Sequence, residues 1–305
     1  MNRKSDLRLC DLGEDAVVRR LARNLPSGDG VIAGIGDDCA VVRPLRRGWS
    51  ELLKTDCVVE GIHFRPDAPR AAVGWKAAAR VVSDFAAMGG TPRHALVTVC
   101  LPSDRPVSEL DRLYAGIRKA AMRFRFGVVG GDLARSPGPM MVSIAMTGAV
   151  RRWVGRAGAK PGDGLYVTGC LGGSGAGRHL RFEPRLDEGI WLTGQRGVRA
   201  MMDLSDGLAT DLPRLARASG CGFEVDVLRV PRGRGASAEA ALCDGEDYEL
   251  LIAVAPAAAE RVERGWKERF PSLRLTRIGC LTAKGDHWLG RTGAGSGWDH
   301  FGGDQ

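Results

Sequence analysis

The sequence predicts a two-domain α/β (α+β) protein, on three observations: its length of 305 residues, short apolar runs alternating with helical patterns, and a change of texture near position 151. A single hydrophobic core stops growing at about 250–300 residues, so two packed domains are the default. The apolar fraction of 44% and charged fraction of 26% are those of an ordinary globular chain, which excludes disordered and fibrous classes.

In the first half the apolar runs at 31–35 and 52–53 predict strands that end in acidic turns. The spacing of apolar residues over 71–88 predicts a helix, stopped by a C-cap at Gly89-Gly90. A β-rich run at 94–101 ends at Pro102, a second helix covers 107–123, a strand at 127–129 runs into Gly130-Gly131-Asp132, and another strand covers 140–150. Residues 151–164, rich in Arg, Gly and Ala, suit a crossing between domains. Domains 1–150 and 151–305 follow. The second half offers strands at 165–168, 223–227, 249–254 and 274–280, helices at 186–192, 207–218 and 256–270, and a Gly-rich turn at 169–177.

The first eight residues are polar and lack an apolar core segment, so no secretory signal is expected. No run reaches the roughly 18 apolar residues of a membrane span, and a cytoplasmic protein without membrane association is the expectation. Eight cysteines lie far apart without a C-x-x-C pair, and they read as reduced small hydrophobes. The net charge of +8 raises nucleic acid as a partner, but the basic residues are mostly arginines scattered among acids, so no nucleic-acid binding is expected.

Five acidic turns carry the chemistry: Gly36-Asp37-Asp38, Thr55-Asp56, Ser83-Asp84, Gly130-Gly131-Asp132 and Asp203-Leu204-Ser205-Asp206-Gly207. Each reads as the end of a strand or helix, and each alone is an ordinary turn. Together they match what a hard divalent ion needs, one or two carboxylates per ion with phosphate oxygens completing the shell. Asp84 stands out, because a carboxylate inside an apolar helix is costly to bury unpaired. There is no Gly-Lys dipeptide, which excludes a Walker A loop, and neither G-x-G-x-x-G nor H-R-D occurs. The Gly-rich turn at 172–177 offers amides to a phosphate.

With their flanks, these residues resemble the thiamine-monophosphate kinase family: GIGDDCAVV (34–42), TDCVVEGIHF (55–64), SDFAAMGGTP (83–92), GGDLARS (130–136), MDLSDGL (202–208) and GEDYEL (245–250). The resemblance extends from Gly13-Glu14 to Asp299-His300. It implies the two-domain fold of aminoimidazole ribonucleotide synthetase, with an N-terminal domain that pairs across a homodimer and a C-terminal α/β domain that completes the active site. It also implies a kinase that moves the γ-phosphoryl of ATP to thiamine monophosphate, with several Mg²⁺ ions and no acid or base residue; potassium enters only through the resemblance.

By the same resemblance, metal ligation falls to Asp37, Thr55, Asp56, Asp84, Asp132, Asp203 and Asp206. ATP contacts fall to Tyr114, Gly131, Asp132, Arg156 and Ser205, and substrate contacts to His63, Glu246 and Trp298. Trp298 either stacks on an acceptor ring or anchors the Gly-rich tail. Lys54 departs from the family, which carries a small metal-binding hydroxyl there; an ammonium either replaces a cation or turns away. The alternatives are another ATP-dependent enzyme of the fold, such as a selenophosphate synthetase-like one, or a non-catalytic nucleotide-binding homologue.

Overall fold

Helix α1 (Arg70–Met88) holds the molecule together, and its sequence explains why: small residues dominate a segment that must pack on every side. The computed structural model describes residues 31–33, 37–43, 47–290 and 297–298. Sixteen of the nineteen α1 residues are buried, including Lys76, Ser83 and Asp84. The helix ends as its sequence predicts, with Gly89 in the left-handed conformation, φ 67°.

One face of α1 covers a six-stranded sheet ordered β1 (Val31–Ala33), β2 (Ala40–Val42), β3 (Ser50–Val59), β6 (Met141–Val150), β4 (Thr91–Leu101), β5 (Gly127–Arg135). All pairs are antiparallel except β4 with β5. Alternation places Val97, Val99, Val142, Ile144 and Leu52 on the helix-covered face. Helix α2 (Val107–Phe124) packs beside α1. The opposite face is open, and Leu53 and Leu96 are exposed on it, while Val128, Val129 and Leu133 are exposed on the edge strand β5.

The second sheet is ordered β12 (Asp286–Leu289), β9 (Gly222–Asp226), β11 (Leu275–Thr282), β7 (Gly164–Thr168), β10 (Leu250–Val254), β8 (Val198–Asp203). One face joins the α1 core through Tyr166, Met201, Leu250 and Ile252, together with α3 (Leu186–Gly194) and α6 (Ala259–Arg269). The other face packs on α4 (Leu208–Ala218) and α5 (Ala238–Cys243) through Leu212, Leu215, Val167 and Leu251. Strands β7 and β10 read as continuous apolar runs because both their faces are covered. Among the described residues no helix is long and apolar enough to cross a membrane, and none of the seven described cysteines is in a disulfide.

Three of the five acidic turns are not turns. Thr55 and Asp56 lie within the ten-residue β3, Asp84 lies inside α1, and Gly130-Gly131-Asp132 lies within β5. The polar residues interrupt the apolar alternation that would have marked each element, which is why they look like ends. At Gly131 a Cβ would sit 1.9 Å from the Val97 carbonyl oxygen, so the glycine there serves a strand-to-strand approach. Strands β2, β8 and β12 and helix α5 escape the sequence pattern. Residues 34–36 and the motifs at Gly13-Glu14 and Asp299-His300 lie outside the described residues.

Candidate active site

Strand β3 aims Leu52, Lys54, Asp56 and Val58 at α1, and its polar pair meets the polar part of the helix. Lys54 Nζ lies 2.8 Å from Asp84 Oδ1, and Arg80 Nε lies 3.3 Å from Asp56 Oδ2. From the second sheet, β8 ends at Asp203, whose Oδ2 accepts from Ser83 Oγ at 2.6 Å. The segment before β2 brings Asp38, held by Arg156 Nη2 at 2.7 Å, while the Arg156 backbone amide donates to Asp37 Oδ1 at 2.8 Å. Carboxylate oxygens of Asp38, Asp84 and Asp203 then lie within 4.8 Å of one another, all three residues buried.

Such crowding is unfavourable for anions alone. Burial pushes the Asp203 carboxyl up to about 7, Asp38 adding to the shift and the Ser83 bond opposing it. Burial likewise raises Asp84 well above the usual carboxylate range, against the pull of Lys54 and with Asp203 and Asp56 adding to it. Burial also raises Asp37. Burial works against the Lys54 charge, but Asp84 and Asp56 outweigh it and hold the ammonium protonated. Buried oxygen-rich clusters of this composition suit hard divalent cations such as Mg²⁺. Asp38, Asp84 and Asp203 are the residues that fit one.

Next to the cluster lies a cavity of about 160 Å³, lined by Ile62, His63, Arg80, Ser205, Asp206, Asp244, Glu246, Tyr248 and Trp298. Two backbone bonds, Glu246 N to Ser205 O and Tyr248 N to Leu204 O, tie its two chain segments together. Glu246 and Tyr248 both adopt positive φ, 53° and 52°, a conformation uncommon outside glycine that concentrates at functional sites. Lys76 Nζ, fully buried, lies 2.6 Å from Glu246 Oε1 and 2.7 Å from His179 Nδ1. His179 Nδ1 in turn lies 3.0 Å from Glu246 Oε2. Burial works to protonate Glu246, but His179 and Lys76 outweigh it and bring the carboxyl down to about 2. Burial lowers Lys76 to about 8 against the opposing pull of Glu246.

His63 faces this cavity with its Nδ1 accepting from Val59 N at 3.1 Å, which fixes the neutral ring as the Nε2–H tautomer. Trp298 lines the cavity too, its amide donating to Asp206 O at 2.8 Å. The residue is therefore tied to Asp206 through its backbone while it lines the cavity.

The structure thus gathers Asp37, Asp56, Asp84, Asp203 and Arg156 around one centre, and His63, Ser205, Glu246 and Trp298 around the adjoining cavity. Asp206 lines the cavity but is paired with Arg214. Thr55 faces the open side of the first sheet, where its Oγ1 lies 3.5 Å from Ser143 Oγ. Gly131 and Asp132 stand on β5, three strands away from β3, and Tyr114 stands exposed on α2. No described contact joins these four to the acidic centre. In the Gly-rich turn, Gly172 N donates to Asp247 and Gly173 N to Asp244, so these amides are already satisfied by the protein's own carboxylates.

The sequence places Asp38 in an acidic turn without assigning it a role, and it misses Lys76, Arg80, His179 and Tyr248. Asp38 adjoins a residue the resemblance singles out. Lys76 and Arg80 lie on the same helix as Asp84, but a long basic side chain can reach solvent along its stem, so the sequence does not mark either as buried.

The AIR synthase related protein N-terminal domain family matches residues 36–150, and its C-terminal domain family matches residues 185–287. The thiamine-monophosphate kinase of Rhodopirellula baltica is 37% identical over 295 residues, covering 90% of each chain. That of Aquifex aeolicus is 34% identical, covering 97% of this chain and all of its own. The solved structure of AaThiL complexed with AMPPCP and TMP superposes with a TM-score of 0.84 at 33% identity, covering 97% of this chain and all of that one. The chain belongs to the thiamine-monophosphate kinase family, within the AIR synthase related proteins.

Proposed function

We propose that the chain transfers the γ-phosphoryl group of ATP directly to the phosphate of thiamine monophosphate, in line, giving thiamine diphosphate and ADP. The observation that carries this reading is the juxtaposition of three converging buried carboxylates with a cavity whose wall presents an ionised Glu246 and two aromatic rings. Likeness to a structure holding AMPPCP and TMP supports it.

The acceptor's chemistry suits these residues. A phosphate monoester has a second pKa near 6 and is already anionic at neutral pH, so no general base is required. The difficulty is bringing anions together: two unit charges about 4 Å apart repel by roughly 4 kcal/mol at an effective dielectric of 20. Several Mg²⁺ ions, when bound through Asp38, Asp84 and Asp203, would supply the neutralising charge. Arg156 and Arg80 add fixed positive charge beside the carboxylates. At the acceptor end, Glu246 offers an anion to a cationic thiazolium, and the exposed Trp298 offers it an aromatic ring.

We place the domain division near residue 151 and the protein in the cytoplasm, and we read it as a homodimer. The open face of the first sheet supports the dimer, since its apolar side chains surround a groove of about 570 Å³ that includes Leu53, Leu96, Val129 and Ala145. A second copy laid against that face would cover the β5 edge and offers a route by which Gly131 and Asp132 join a nucleotide site.

A coupled ADP assay tests the reaction with thiamine monophosphate, thiamine or no acceptor, each with Mg²⁺ or with excess chelator. ADP release only with thiamine monophosphate and Mg²⁺ is expected. Equal release with all three acceptors, or release that survives chelation, overturns the reading; exchanging K⁺ for Na⁺ tests the monovalent ion.

A further inference from the structure

The acidic centre contains a cation of its own. Lys54 reaches from β3 to α1 and places Nζ 2.8 Å from Asp84 Oδ1, with the Asp84 side chain 8% exposed. Asp84 is one of the three carboxylates that converge within 4.8 Å. An ammonium carries three donors and no lone pair, so it cannot ligate a metal, and it competes with one for the oxygen it touches. Asp56 is a second carboxylate acting on the same ammonium.

Charge counting gives the same result. Asp37, Asp38, Asp56, Asp84 and Asp203 form the centre, and Lys54, Arg80 and Arg156 are the cations set among them. The five carboxylates, when ionised, exceed the fixed cations by two charges, which a single dication neutralises. Without Lys54 the excess is three, more than one dication satisfies. The ammonium therefore removes part of the electrostatic reason for a further ion.

We propose that Lys54 is a built-in cation of the acidic site, taking the position on Asp84 that a divalent ion would occupy, so that the chain holds one divalent ion fewer than it would with a hydroxyl at residue 54. This rests on the reading of the acidic cluster as a metal site, and it adds that the centre is partly neutralised before any metal arrives.

The test counts Mn²⁺ bound to the full-length chain, from the free-ion electron paramagnetic resonance signal. Lys54→Thr and Lys54→Ser should each bind one more ion per chain than the parent, and at least about tenfold more tightly at that position; Lys54→Arg should keep the parent count. Equal counts in the parent and the folded hydroxyl variants overturn the proposal and leave the metal reading standing. No Mn²⁺ bound by any of them overturns the metal reading itself, and the proposal with it.

A measurement on the unmodified chain does not depend on variants folding. With ¹⁵N-lysine label and only seven lysines, the Lys54 Nζ signal, assigned by its loss in Lys54→Arg, should keep its protection from solvent exchange when Mg²⁺ saturates the protein. Loss of that protection on adding Mg²⁺ means the ammonium has been displaced and overturns the proposal.

Discussion

Lys76 Nζ lies 2.6 Å from Glu246 Oε1 with the lysine side chain fully buried, so the cavity wall is held by a charge that water cannot reach. Replacing it with Met leaves Glu246 with His179 as its remaining close partner and removes a charge-assisted bond, a loss of about 1–3 kcal/mol. If Glu246 meets the acceptor, Lys76→Met should raise KM for thiamine monophosphate at least about tenfold while KM for ATP stays within about twofold. Equal rises in both constants would assign Lys76 to general folding stability, and urea denaturation of the variant separates the two effects.

Glu246 also predicts an acid limit. Its folded value near 2 lies below the ordinary 4.5, so as pH falls the unfolded chain takes up the proton first. The stabilisation is complete above about pH 4.5 and is lost as pH falls towards 2. Glu246→Gln should flatten the stability curve in that window, by about 2 kcal/mol after allowing for the partial exposure of the carboxylate. Lys76 titrates near 8, outside the window, and does not disturb the comparison. Chemical denaturation of parent and variant between about pH 5 and about pH 2 measures the difference.

The sequence exposes most long elements because their apolar spacing is regular, and it hides those whose regularity the site interrupts. Strand β3 is legible only at 52–53, since Lys54, Thr55 and Asp56 replace the apolar residues that alternation calls for. Two of them face the acidic centre. Asp84 could be singled out as a buried charge in an apolar helix, whereas Lys76, eight residues earlier on the same helix, reads as a solvent-facing lysine until the second sheet is placed against α1. The partners that make Lys76 bearable, His179 and Glu246, come from residues more than a hundred positions away. No local pattern encodes that contact. Asp132 is the converse case: its motif is plain in the sequence, but a single chain leaves it at a sheet edge.

That edge gives a prediction about assembly. Val129 and Leu133 on β5 are 62% and 61% exposed, on a strand with one unpaired side, an arrangement that proteins ordinarily cover or charge. Val129→Glu and Leu133→Glu should each convert a dimer to monomer in light scattering, with the far-ultraviolet circular dichroism unchanged. A parent chain that is already monomeric at micromolar concentration removes the homodimer from the proposed function.

The joint between the two halves should be equally sensitive to a single methyl group. Helix α3 crosses α1 at Gly189, where a Cβ would stand 1.9 Å from the Ala86 carbonyl oxygen; backbone there cannot yield as a side-chain tip could. Gly189→Ala must push the helices apart or bend one of them, at about 1–3 kcal/mol. Ala86 lies two residues after Asp84, and the second-sheet contribution to the acidic centre is Asp203, which meets α1 through Ser83 at 2.6 Å. Separation of the helices should therefore weaken divalent binding as well as lower the melting temperature. A surface substitution such as Gly175→Ala, where a Cβ meets nothing within 4 Å, should do neither, and Mn²⁺ titration beside thermal denaturation of both variants makes the comparison.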